Sequence, residues 1–385
     1  MGISLTSLAW TGEVIRHLTC EHGRCGSYEH AVERLIQGVA IINTVALSIA
    51  VQPLQSGLRS LIVDSTPLRQ QTLVSACASF LVAVGGIAGF LAGSFPLSAN
   101  IIFLHWMTQF QALALLTTAV VALTVTVTCL SSKELLHFEV TQRRPTLSEI
   151  LRSMRKIPSR IVWICNVQFC AWIAWFCVLY YTTTYITELS TIEVNQQEIK
   201  ETDVRSVQVG TSASLDFTLM ALPVTMAVLL VLLFRERLRD RAATAHAPAV
   251  PSRMLARIWA ISQALCGVFL LATLLPSSKV QGTILIALLG APWAITQWVP
   301  FAILGNEIAF LQQQAVEQCQ DELQSGVLLG VHNMAISAPQ VIAGVTSSLI
   351  YTIAESADSR VPTAWILSIG SLAAFGASRL AYRLA

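Results

Sequence analysis

Residues 161–186 read IVWICNVQFCAWIAWFCVLYYTTTYI, and none of them is charged. As an α-helix this stretch is about 39 Å long at 1.5 Å per residue, enough to cross a hydrocarbon core of about 30 Å. It lacks the strict polar/apolar alternation of a membrane β-strand, so a helix is the reading and a closed barrel is excluded. Eight further stretches meet the same length and composition, near 37–58, 72–94, 109–130, 209–234, 258–275, 281–304, 326–352 and 362–382. The 385 residues around them are 54% hydrophobic and 12% charged, where a soluble chain carries about 25% charged residues. The mean hydropathy of +0.63 agrees. The expectation is an all-α polytopic membrane protein whose main solvent is the lipid bilayer. With 24 Lys and Arg against 22 Asp and Glu, the net charge of +2 excludes a nucleic-acid binder.

Orientation follows from the basic residues. Alternating the loops puts 17 Lys and Arg on the side of 57–71, 133–160, 235–257, 306–325 and the C-terminal Arg379 and Arg383, and 7 on the other. Cytoplasmic loops are enriched in these residues, so the first set, with the C-terminus, is expected inside. The shorter apolar piece Ile3–Trp10 is about half a span long, without the basic flank or cleavage site of a signal peptide. A basic cytoplasmic linker, 131–160, precedes six spans, as in the second half of a two-bundle transporter. The domain reading is therefore an N-terminal helical bundle over 1–130, the linker over 131–160, and a C-terminal six-helix bundle over 161–385. The loop 187–208, with Glu188, Glu193, Glu198, Glu201 and Asp203, is read as a solvated extracellular loop. Cys20 and Cys25, in another predicted extracellular loop, could close a disulfide.

A buried polar group in lipid must find a partner, so polar faces on spans mark pathways or helix contacts. Thr44, Ser48, Gln52, Gln55 and Arg59 recur at helical spacing on one face of the first full span, with Asp64 beyond. They fit a substrate or cation pathway, or an Arg snorkelling to the headgroups. Gly85, Gly89 and Gly93 make a smooth face for close helix packing. In 161–186, Trp172 and Trp175 lie near mid-span, Thr182 to Thr184 follow, and Tyr185 fits an interfacial aromatic belt. Aromatic rings stack on the apolar faces of sugars, while hydroxyls and amides bond the sugar's hydroxyls. Asp216 is either a proton carrier or a headgroup-level acid. Gly290, Pro292 and Pro300 break one span around Thr296 and Gln297, with Glu307 at its cytoplasmic end. His332 opens the next span, where Asn333, Ser337 and Gln340 share a face; the alternative to a pathway is an interhelical hydrogen-bond network. No phosphate-binding loop, nucleophile triad, metal-ligand cluster or cofactor motif is present, so an enzyme is not expected.

Four of these segments also resemble one family. The stretch Gln52–Pro67 is similar to the fourth-helix motif of the sucrose/α-glucoside:proton symporters of the glycoside–pentoside–hexuronide cation symporter family. Trp175–Glu188 resembles their seventh helix, Pro292–Phe301 their tenth and Gly330–Gln340 their eleventh, with the fungal branch nearest. The resemblance runs from about residue 3 to the C-terminus. It implies the twelve-helix major facilitator fold, proton-coupled uptake of sucrose, maltose or a related glucoside, and a plasma- or vacuolar-membrane location. A disaccharide or other small glycoside and a proton are the implied partners; no cofactor is. Arg59 becomes a candidate for substrate or proton coupling. Departures are visible: Ser48 stands where plant relatives have an acid, Thr182 and Thr184 replace their seventh-helix aspartates, and Cys177 and Thr187 replace a fungal Pro and Gly. That leaves Asp216, Glu307 and His332 as proton-carrier candidates. Helices one and two and most of three are missing from the match, Ile3–Trp10 being a stub of the third. An exporter of a small metabolite, or a non-transporting sensor or inactive fragment, are the alternatives this leaves.

Overall fold

A computed structural model describes residues 1–19, 29–95, 97, 106–132, 157–193, 202–241, 250–318 and 325–385. Most of the basic linker, the acidic residues Glu198 and Glu201, and the Cys20/Cys25 pair lie outside the described residues. The described helices are α1 (Gly2–Thr19), α2 (Glu29–Asp64), α3 (Gln71–Ser94), α4 (Gln109–Ser131), α5 (Ser159–Glu193), α6 (Thr202–Arg241), α7 (Ser252–Leu271), α8 (Lys279–Leu288), α9 (Gly290–Gln318), α10 (Ser325–Ser337), α11 (Pro339–Ser356) and α12 (Pro362–Arg383). Nine segments among the described residues are long and apolar enough to cross a membrane, each overlapping one of the nine expected. The protein is a multi-pass membrane protein.

The chain divides into two compact units, Met1–Gly57 with Phe95–Pro145, and Leu58–Ser94 with Thr146–Ala385. The division falls inside α2, four residues after the helix-interior Pro53.

In the first unit α1 runs on to Thr19, well past the apolar piece that ends at Trp10. The backbone ladder needs no apolar side chains, and Thr11 and Thr19 return their hydroxyls to the carbonyls of Ser7 and Ile15, at 2.7 Å each. α1 packs on α4, where Gln111 donates to Glu13 Oε1 at 2.8 Å. The same Gln111 closes a capping box with Thr108, which starts α4 by satisfying backbone donors that a helix N-terminus leaves open.

In the second unit α5 packs against α6, α8, α10, α11 and α12, so its buried side supplies much of the core. Tyr185 is fully buried there, its hydroxyl donating to the Thr273 carbonyl oxygen at 2.9 Å, rather than standing in an interfacial belt. The reason is length: α5 continues to Glu193, so Tyr185 lies two turns inside the helix. Glu188 likewise belongs to α5 and not to a solvated loop. Its carboxylate accepts from the backbone N–H and hydroxyl of Thr363, in the first turn of α12, where a negative charge meets the positive end of the helix dipole.

Close helix approach on α3 uses a different glycine from those expected. A Cβ at Gly85 or Gly89 would meet nothing within 4 Å, whereas one at Gly86 would press on Thr218 of α6 at 3.0 Å. The start of α9 is tighter still, since a Cβ at Gly290 would overlap the Phe217 carbonyl oxygen of α6.

Candidate functional site

Polar residues in the second unit fall into two groups, those with partners on neighbouring helices and those without. Four junctions belong to the first group. The side chain of Gln71, at the start of α3, donates to the carbonyls of Val63 (2.9 Å) and Thr66 (2.6 Å), capping the end of α2. Asp64 accepts from Ser325 at 2.7 Å. Arg69 pairs with Glu236 at 2.6 Å. Asn306 donates to Thr72 at 3.3 Å. Each pair satisfies a group that would otherwise lie unpaired between helices.

Arg59 takes neither the pure snorkelling position nor a carboxylate partner. Its guanidinium carbon lies 3.3 Å from the centre of the Phe301 ring on α9, a cation–π contact. His332, on α10, meets the same ring edge-on, with centroids 5.0 Å apart and an interplanar angle of 81°. His332 is buried and its Nε2 has no partner among the described residues. Arg59, Phe301 and His332 therefore form one cluster built from three segments far apart in the chain. Phe301, which holds it together, went unnoticed as a site residue because a phenylalanine in an apolar span carries no polar signal.

The second group includes His332, Ser79 and the indoles of Trp259 and Trp298, and it is densest in an aromatic cluster between α5, α6 and α9. Trp175 lies 5.0 Å from Trp293 and 6.4 Å from Phe217, and Trp172 lies 5.9 Å from Trp293. The indole N–H groups of Trp172 and Trp175 are buried and have no acceptor among the described residues. One turn before Trp172, Gln168 is fully buried, and neither its amide nitrogen nor its oxygen has a partner among the described residues. Gln168, Trp172 and Trp175 share a helical strip at i, i+4 and i+7. That spacing is readable in the sequence, and it is the signal that would have added Gln168 to the candidates; Trp293, on another helix, joins the cluster only through the tertiary contact. Gly290 and Pro292 set the start of α9 that carries Trp293: the first lets the helix approach Phe217 closely, and the second, in the first turn, has no N–H to continue the ladder from α8 across Leu289.

Other candidates have local fates. Thr44 and Ser48 bond carbonyls four residues back on α2, at 2.8 and 2.9 Å. On the same helix Gln52 is half-buried and Gln55 exposed. Thr182 is buried and bonds the Val178 carbonyl at 2.6 Å, while Thr184 is exposed. Thr296 accepts from Gln263 at 2.8 Å and donates to the Pro292 carbonyl at 2.9 Å, so its hydroxyl stabilises the broken start of α9. Gln297 is half-buried. Glu307 pairs with Arg160 at 3.4 Å. Asp216 is half-buried, beside Phe217 in sequence. Ser337 donates to the Asn333 carbonyl at 2.8 Å, and Gln340 lies beside the Tyr180 hydroxyl. No group of metal ligands occurs among the described residues.

No family model matches the chain. It is 27% identical over 419 aligned residues to the general alpha-glucoside permease of Schizosaccharomyces pombe, covering 91% of this chain and 74% of that one. A second relative, the MFS-type transporter cctQ of Talaromyces islandicus, is 26% identical over 128 residues, 33% of this chain and 51% of the relative. Among solved structures, a variant of the Escherichia coli fucose:proton symporter FucP superposes with a TM-score of 0.54 over 99% of this chain and 82% of that one, at 13% identity. FucP in its outward conformation gives 0.53 over the same shares. At that identity the likeness speaks to architecture: the all-helical chain has the fold of the major facilitator transporters.

Proposed function

We propose that the protein is a secondary active transporter that takes up an α-glucoside, such as maltose, sucrose or a related glycoside, together with a proton. The observation that carries this reading is the set of partnerless donors inside the aromatic cluster. Leaving a buried donor unsatisfied costs about 1–3 kcal/mol, so a purely structural core would place Leu or Phe at Gln168, Trp172 and Trp175. A pyranose satisfies them: its hydroxyls accept from the indoles and exchange hydrogen bonds with the amide, and its C–H face stacks on a ring. The similarity to the general alpha-glucoside permease of S. pombe supports the same substrate class.

For the coupling proton, His332 is the candidate of choice. It is buried, its Nε2 is open, and it shares Phe301 with Arg59. A proton on His332 sets a second positive charge beside Arg59 and favours release of the guanidinium from the ring. Glu307 already has Arg160 as its counter-ion. The basic loops argue for a cytoplasmic C-terminus, in a plasma or vacuolar membrane.

The test is uptake of radiolabelled maltose and sucrose by yeast lacking its own carriers, with and without a protonophore. Saturable uptake that the protonophore abolishes is expected. Correctly inserted protein that moves neither sugar would sink the reading, and uptake indifferent to the protonophore would remove the proton from it.

A further inference from the structure

Beyond Trp172 the same strip of α5 continues in aromatic rings. Phe176 and Tyr180 follow at four-residue steps, and each ring touches the one before it. Trp172 and Phe176 have centroids 5.4 Å apart, Phe176 and Tyr180 5.6 Å apart with their planes only 28° from parallel. The chain of rings thus runs unbroken from the buried donors to Tyr180, which is 43% exposed. Its hydroxyl lies beside Gln340, in the first turn of α11 just after the break at Pro339.

A strip that only met lipid would carry aliphatic side chains, as at the exposed Leu230, Val231 and Leu349. This one carries rings with a phenol and an amide at its open end. Trp172 and Tyr180 are eight residues apart, about 12 Å along the axis. That length suits two linked pyranoses lying side by side and exceeds one.

We propose that Phe176, Tyr180 and Gln340 form a second sugar subsite, which takes the second ring of a disaccharide whose first ring sits among Gln168, Trp172 and Trp175. This rests on the sugar-transport reading above. Tyr180 stacks on the ring's C–H face, and Gln340 with the phenol bonds its hydroxyls. The subsite sets preference for two-ring over one-ring glucosides.

The experiment measures binding of maltose and of methyl α-glucoside to purified protein by calorimetry. Wild type is expected to bind the two-ring sugar more tightly. Tyr180→Ala should lower the maltose-to-methyl-glucoside affinity ratio between about threefold and tenfold. Tyr180→Phe, which keeps the ring, should lower it less, and Gln340→Ala should lower it in the same direction. Binding of the one-ring sugar by each variant reports that it is folded. A ratio that stays constant in Tyr180→Ala overturns the subsite, as does wild-type binding with no gain from the second ring; sugar transport survives either result. Wild type that binds neither sugar overturns both readings together.

Discussion

Arg59 is a long cation near the end of a membrane helix, and its side chain has two options there. It can reach out to the headgroups, or it can turn inward and find a partner that tolerates burial. The structure gives it Phe301, with the guanidinium plane over the ring. A lysine keeps the charge but loses the delocalised plane that stacks. Arg59→Lys is therefore expected to reduce uptake about tenfold, and unchanged uptake at equal surface expression would return Arg59 to a headgroup role. At this scale the sequence was partly legible. The helical period put Arg59 on a polar face, and position near mid-span singled out Trp172 and Trp175 as candidates. It missed Gln168, which sits one turn from Trp172 on the same strip. It also placed Tyr185 at an interface, because the apolar run ends at Ile186 while the helix itself does not.

At the scale of elements, the break near Gly290 and Pro292 was readable, whereas the split at Pro339, the unbroken passage through Pro300 and the packing were not. Proline lacks the N–H that closes a helical turn, so Pro339 and Pro292 mark where spans split into α10 and α11, and α8 and α9. Pro300 bends no boundary of its own but leaves the Thr296 carbonyl without its usual intrahelical donor. The glycines show the limit. Gly85 and Gly89 have the right spacing for a packing face, yet α3 meets α6 through Gly86. Which face of a helix meets its neighbour depends on the crossing geometry, and that is set by residues far away in sequence. At Gly290 the close partner is backbone, which cannot rotate aside. Gly290→Val should destabilise the protein by about 1–3 kcal/mol, lowering its melting temperature in detergent. It should also displace Trp293 and so weaken sugar binding, whereas Gly85→Val, with open space around it, should change neither.

At the scale of the whole molecule, the shortage of charge is the governing fact. Twelve per cent charged residues cannot cover a water-facing surface, and the nine candidate spans account for where the apolar residues go. The asymmetry of 17 basic residues against 7 predicts a cytoplasmic C-terminus. A C-terminal epitope tag should resist external protease on intact cells and be cleaved after permeabilisation. Cleavage on intact cells would reverse the orientation of every loop.

By itself the sequence determined the solvent, where the candidate spans lie and the strips of residues that each helix presents, because hydrophobic length and the 3.6-residue period are local properties. Only the tertiary structure decided which polar groups were already satisfied. Glu188 caps α12, Gln263 holds Thr296 and Glu307 pairs with Arg160, while Gln168, Trp172, Trp175 and His332 keep atoms without a partner among the described residues. The physical reason is that a hydrogen bond between helices needs a few ångströms and the right angle between segments that lie 33 to 175 residues apart in the chain. Helical spacing carries no record of that distance.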